Sequence, residues 1–86
     1  MKFKKRCIVV EAIQWLGHNF VEVNEFIKVE HYISVDRGQV ELSTAEGMML
    51  AKIGDWIICG TQGEYYPCKP QIFAEVYEPQ VDEQDL

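Results

Sequence analysis

The fold is constrained most tightly by residues 54–77, which read GDWIICGTQGEYYPCKPQIFAEVY. Glycines flank a short apolar run at Gly54 and Gly60, and this pattern predicts a strand over 56–59 between two chain reversals. Pro67 cannot donate to a sheet ladder, so the strand that follows must end or lie at a sheet edge there. The segment therefore specifies architecture, and it carries no catalytic motif.

The two ends of this stretch give further local predictions. Asp55 follows a glycine in a turn, so we expect its carboxylate to accept hydrogen bonds from the backbone that it caps. Beyond Pro67, the second proline at position 70 favours one helical turn over 69–72. A closing strand over 73–78 is then expected to complete the sheet.

In the segment before this stretch, apolar residues recur at every second position. Residues 32–35 and 39–43 alternate on either side of Asp36-Arg37-Gly38, which predicts a β-hairpin. Residues 48–52 predict a further strand, because Gly47 ends a second reversal. The pattern indicates antiparallel pairing throughout this half of the chain.

The N-terminal part combines a strand with a helix. Residues 7–15 are β-branched and apolar on both faces, which predicts a central strand. Asn19 and Glu22 have the spacing of a capping box, and apolar residues at helical spacing predict an amphipathic helix over 20–28.

These elements predict a small α+β domain. We expect a curled antiparallel β-sheet or partial barrel with one short amphipathic helix near the N-terminus. Residues 1–78 form the single domain of this prediction, and residues 79–86 form a flexible acidic tail.

Composition excludes several classes of function. The 86 residues carry a formal charge of −6, so nucleic-acid binding through a general basic face is not expected. The apolar runs are much shorter than the roughly 20 residues of a membrane-spanning helix, so no membrane partner is predicted. Three cysteines without a leader sequence favour a reducing cytoplasm.

Catalysis and metal binding receive little support. Cysteines and histidines lack the short spacing of paired ligands, so we predict no metal and no cofactor. Cys68 is the best nucleophile because Lys69 could lower its pKa, although packing is the simpler interpretation. Glu11 lies on an apolar strand and would need a partner such as Arg37 or Lys69 if buried. We predict that the protein is not an enzyme.

Aromatic and cationic side chains give the candidate ligand site. Aromatics that stack a base and cations that pair a phosphate would bind a nucleotide, although aromatics in strands are more often core. The predicted ligand-binding residues are Tyr65, Tyr66, Lys69, Arg37, Trp56 and Trp15.

Three segments of the chain carry a resemblance to a known group. They are IVVEAIQW at 8–15, GDWII at 54–58 and GEYYPCKP at 63–70. The chain is similar to the PGDYG-type group of small phage and prophage proteins, although residues 53, 56 and 57 depart from the motif that names the group. The resemblance implies a phage or prophage origin and carries no catalytic residues.

That origin leads to a binding function. We expect a non-catalytic accessory protein that counters host defence by binding in the host cytoplasm. Its most specific form is a homo-oligomeric sponge that sequesters a small nucleotide signal. The alternatives are an inhibitor that contacts a host protein directly, and a minor virion or morphogenesis component.

Overall fold

The computed structural model describes residues 9–78. The acidic tail predicted over 79–86 and the first eight residues of the predicted domain lie outside the described part. Six strands and two helices follow one another along the chain. They are β1 (Glu11–Gln14), α1 (Phe20–Phe26), β2 (His31–Ser34), β3 (Gln39–Thr44), β4 (Gly47–Lys52), β5 (Trp56–Cys59), β6 (Tyr65–Cys68) and α2 (Pro70–Val76).

The α+β class is confirmed, but the strands form two antiparallel sheets of three instead of one curled sheet or partial barrel. The first sheet has the order β1-β5-β6, and the second has the order β2-β3-β4. The chain leaves the second sheet after Lys52, because the Asp55 carboxylate accepts the Lys52 backbone N–H at 3.0 Å. Trp15 exchanges backbone hydrogen bonds with Gly54 and Asp55, and this exchange places β5 beside β1.

The prediction that residues 7–15 form a central strand was wrong for the part that the structure describes. β1 spans Glu11–Gln14 and, among residues 9–78, lies at the edge of the first sheet with β5 as its only paired strand. Each face of this strand carries one apolar residue. Ile13 packs on the core between the sheets, and Ala12 lies on the opposite face with Ile58 and Tyr66.

One hydrophobic core lies between the two sheets. Trp15 is fully buried there, and its indole N–H donates to the Gly38 carbonyl at 3.0 Å. Side chains from both sheets and from α1 surround it. They are Val23, Ile27, Val40, Leu42, Ala51, Ile57 and Tyr65.

The first helix was predicted correctly, but its cap was not. α1 buries Val23 against the core, as the apolar spacing predicts. The Asn19 side chain makes no cap hydrogen bond to the helix. Instead it accepts the Leu16 N–H and donates to the Gln14 carbonyl, both at 2.9 Å, so it braces the loop after β1.

The closing strand predicted over 73–78 is wrong, because most of that segment belongs to a second helix. Pro70 occupies the first turn of α2, where its missing N–H costs no hydrogen bond. Phe73 and Tyr77 are four residues apart and stack with ring centroids at 5.0 Å. This helical spacing directs both rings onto the outer face of the first sheet, at Trp56 and Tyr66.

The layers therefore follow the order α2, first sheet, second sheet. Within residues 9–78, no element packs on the outer face of the second sheet. Neither seven-residue helix in this part of the chain is long enough or apolar enough to span a membrane.

Candidate ligand-binding surface

The uncovered face of the second sheet carries side chains in rows that cross the strands. Residues directly opposite one another in an antiparallel sheet share a face. One row crosses the strands as Ser34, Gln39 and Lys52, and the next crosses as Tyr32, Glu41 and Leu50. The rows are two residues apart along each strand, which corresponds to about 7 Å.

A concavity of about 310 Å³ joins these rows at the β2 and β3 end of the face. Its volume lies at the lower end of the roughly 300–1,000 Å³ typical of ligand sites. Side chains from two strands and the intervening turn line it. They are Tyr32, Ser34, Arg37, Gln39 and Glu41.

Two hydrogen bonds from backbone N–H groups stabilise the turn that carries Arg37. The Arg37 backbone N–H donates to the Ser34 hydroxyl at 3.4 Å, and the Gly38 N–H donates to the Val35 carbonyl at 3.2 Å. Gly38 has a φ of +64°, a conformation that most L-residues disfavour. Since the buried Trp15 indole N–H donates to the Gly38 carbonyl, the turn is anchored to the core.

The charges on this face are mixed. Arg37 and Lys52 are exposed cationic residues, and the half-buried Glu41 lies directly opposite Tyr32 in the strand register. Tyr32 is 63% exposed, so most of its ring is available for stacking. One row thus offers cations and hydrogen-bond donors, and the other offers an aromatic ring with an acceptor.

Of the sequence-predicted ligand residues, Arg37 alone lines this concavity. Trp15 and Tyr65 lie in the core, where Trp15 is fully buried and Tyr65 is 6% exposed. The Tyr65 ring meets Phe26 edge-on at 5.7 Å, and burial raises the pKa of its hydroxyl. Neither side chain offers a free face to a ligand.

The other three predicted residues lie on the opposite side of the molecule, against α2. Trp56 stacks on Phe73 with ring centroids 4.1 Å apart. The Tyr66 and Tyr77 hydroxyls lie 3.4 Å apart, and this hydrogen bond, with burial, raises the pKa of Tyr66 to about 12. The Lys69 ammonium lies 3.2 Å from the Asp55 carboxylate. The six residues are thus divided among the core and two separate surfaces.

The structure bears on two further sequence expectations. Glu11 was expected to need a partner such as Arg37 or Lys69 if buried, and it is exposed. The pKa of the Cys68 thiol is raised, first by burial and then by the charge of Asp55. Lys69 lies near Cys68 in sequence, but its ammonium pairs with Asp55, so the expected lowering of the thiol pKa does not occur.

Histidine and cysteine positions give no cluster for a metal ion among residues 9–78. The two ring nitrogens of His31 lie 2.7 Å from the Val29 carbonyl oxygen and 2.8 Å from the Asn24 side-chain oxygen. His31 thus connects α1 to the start of β2. Cys59 and Cys68 are free thiols.

The sequence interpretation missed Tyr32, Ser34, Gln39 and Glu41. A signal was present, because the alternation of Gln39 and Glu41 with Val40 and Leu42 places the two polar residues on one face. The turn at 36–38 also fixes the register that puts Tyr32 opposite Glu41. An exposed face of a hairpin is usually only solvated, so the alternation did not identify a site.

No protein-family model, curated protein or solved structure matches the chain. The similarity to the PGDYG-type group of phage proteins therefore stays a prediction from the residues.

Proposed function

We propose that the protein is a non-catalytic binding protein that takes a small phosphate-bearing nucleotide on the outer face of its second sheet. The observation that carries this proposal is the concavity in which the Tyr32 ring and the Arg37 guanidinium share one surface. An aromatic ring stacks on any base, and a guanidinium pairs bidentately with phosphate. These two groups match the two ends of a nucleotide.

The rows on the sheet give each part of the ligand a position. The base stacks on Tyr32 and its amino group donates to Glu41. The phosphate lies in the adjacent row, where Arg37 and the Ser34 hydroxyl are donors and Lys52 adds a second positive charge. The roughly 7 Å between rows suits the separation of base and phosphate in a mononucleotide unit.

The biological setting follows from the resemblance of the sequence to small phage proteins. A phage-encoded binder of this kind would act in the host cytoplasm and counter host defence by sequestering a nucleotide signal. The negative charge of −6 agrees with a small ligand, because a long nucleic acid would be repelled except at the local pair of cations.

Isothermal titration calorimetry tests the proposal with a panel of cyclic dinucleotides, ADP-ribose-type nucleotides and mononucleotides. The expected result is saturable binding of at least one of them, weakened by added salt. Tyr32→Ala should weaken that binding by about 1–3 kcal/mol, whereas Tyr32→Phe retains the stacking ring and most of the affinity.

Charge variants make the test specific to the site. Arg37→Gln should weaken binding by about 1.5–3 kcal/mol, because it removes charge-assisted hydrogen bonds to phosphate. Lys28→Gln is the matched control, since Lys28 is exposed and does not line the concavity. Absence of binding by the folded protein, or equal loss in the Arg37 and Lys28 variants, would refute the proposal.

A further inference from the structure

The outer edge of β4 is an exposed strand edge. Among residues 9–78, no strand pairs with this edge, because β4 has β3 on one side only. Its exposed apolar side chains are Met48 (60% exposed), Leu50 (46%) and Met49 (38%). β4 is six residues long, and its only charged residue, Lys52, lies at its end. The apolar remainder of this unpaired edge is a template for strand pairing.

The hairpin register shows which backbone groups of β4 point outward. Thr44 pairs with Gly47 across a two-residue turn, and this closing pair must be one that exchanges hydrogen bonds. Gly47, Met49 and Ala51 therefore bond to β3, and the alternate residues direct their N–H and C=O groups outward.

At the Lys52 end of β4, the outward backbone N–H and C=O groups are already hydrogen-bonded. Lys52 directs its N–H to the Asp55 carboxylate at 3.0 Å, and its carbonyl accepts the Asp55 N–H at 2.9 Å. Since both Lys52 groups are used by the turn, Met48 and Leu50 are the strand residues left with outward donors and acceptors. An antiparallel copy makes the most hydrogen bonds when Met48 faces Leu50 of the partner, which gives two such pairs and four bonds.

The charges select the same register independently. When Met48 faces Leu50 of the second copy, the two-fold axis passes through Met49. Glu46 then comes level with Lys52 of the second copy, and Lys52 with its Glu46. The two opposite-charge pairs thus lie at the ends of the interface, on either side of its apolar residues. A register shifted by two residues in either direction loses both pairs.

Other edges are less suited to pairing. β6 contains Pro67, which lacks a donor on an edge strand, and β1 and β2 have only four residues each. We propose that the protein forms a symmetric dimer by antiparallel β4–β4 pairing about Met49, which joins the two second sheets into one six-stranded sheet. Lys52 belongs to both this interface and the proposed nucleotide site, so the interface is tested on the ligand-free protein.

Disulfide trapping tests the register directly. Met49→Cys places two thiols in a directly opposed, non-hydrogen-bonded pair with Cα atoms about 4.5 Å apart, within the range of a disulfide. Met48→Cys and Leu50→Cys are matched controls, because each faces a different residue of the partner and lies beyond roughly 7 Å from its own copy. Mild oxidation followed by mass spectrometric mapping should show the 49–49 link and neither control link.

Charge reversal tests the end pairs by sedimentation equilibrium. Glu46→Lys and Lys52→Glu should each raise the dimer dissociation constant about tenfold, and the double exchange should restore it. A native protein that sediments as a monomer at the highest soluble concentration would overturn the proposal. So would a dimer that links through the position 48 or 50 controls, or that is insensitive to the single reversals.

Discussion

The Lys69 ammonium and the Asp55 carboxylate lie 3.2 Å apart, with the Lys69 side chain 60% exposed and that of Asp55 6% exposed. The same Asp55 oxygen accepts the Lys52 backbone N–H at 3.0 Å. Asp55 thus joins the end of β4 to the start of α2, through one backbone N–H and one side-chain ammonium. The backbone N–H of Lys52 is partly buried and the Lys69 ammonium is exposed, so the two interactions should contribute differently to the free energy of unfolding.

Asp55→Ala should lower the free energy of unfolding by about 1–3 kcal/mol, because it leaves the Lys52 N–H without its acceptor. Lys69→Ala should cost about 0–1 kcal/mol, since the exposed ammonium is screened by water. Chemical denaturation measures both, with Glu75→Ala as an exposed control. A larger loss in Lys69→Ala than in Asp55→Ala would contradict this account.

The two tryptophans give a second contrast. Trp15→Phe removes the indole N–H that donates to the Gly38 carbonyl within the core, so we expect a loss of about 1–3 kcal/mol. Trp56→Phe keeps an aromatic ring against Phe73 and should cost less. Chemical denaturation measures the free energy of unfolding of both variants. Equal losses in Trp15→Phe and Trp56→Phe would show that the indole hydrogen bond contributes little.

Part of the fold could be predicted from local pattern alone. The alternation on either side of 36–38 and the glycine at 38 specify the β2–β3 hairpin, because the turn fixes the register. The position of Asp55 after a glycine correctly predicted that its carboxylate caps backbone. The helix near the N-terminus also followed from the spacing of its apolar residues.

The arrangement of strands and helices that are distant in sequence could not be predicted from local sequence pattern. β1 lies at a sheet edge although its segment is typical of a central strand, and α2 packs its aromatic rings on the outer face of the first sheet. That helix was missed because the aromatic residues at 73 and 77 fit both a strand and a helix when their contacts are unknown. The candidate site could be predicted only at Arg37, since its other residues share a face through strand pairing.

The Tyr66 hydroxyl predicts a pH dependence of stability. Its pKa is raised from 10.0 to about 12, first by the hydrogen bond with Tyr77 and then by burial. A group whose pKa is higher in the folded state binds its proton more tightly there. Its contribution is therefore complete below about pH 10 and is lost as the pH rises through about 12.

Denaturation midpoints between about pH 8 and about pH 12 should fall less steeply in Tyr66→Phe than in the native protein. Tyr77→Phe removes the hydrogen-bond partner and should bring the Tyr66 pKa, followed by tyrosinate absorbance, back toward 10.0. An unchanged titration in Tyr77→Phe would show that the two hydroxyls do not interact.

α2 has no fully buried residue. Its attachment to the first sheet therefore depends on aromatic contacts. Phe73 lies at the centre of these contacts, stacked on Trp56 at 4.1 Å and on Tyr77 at 5.0 Å. Phe73→Ala should therefore release α2 locally, at a cost of about 1–3 kcal/mol, while the core between the sheets stays folded. Ile72→Ala is the control, since Ile72 is on the same helix and is 52% exposed.

Hydrogen exchange separates local release from global unfolding. In Phe73→Ala the amides of α2 should lose protection while those of β3 and β5 keep it, and the emission of Trp56 should shift to longer wavelength. Ile72→Ala should leave both readouts close to those of the native protein. If α2 and the core strands lose protection together in Phe73→Ala, the helix is part of one cooperative unit with the sheets, and the aromatic contacts stabilise the whole domain instead of the helix alone.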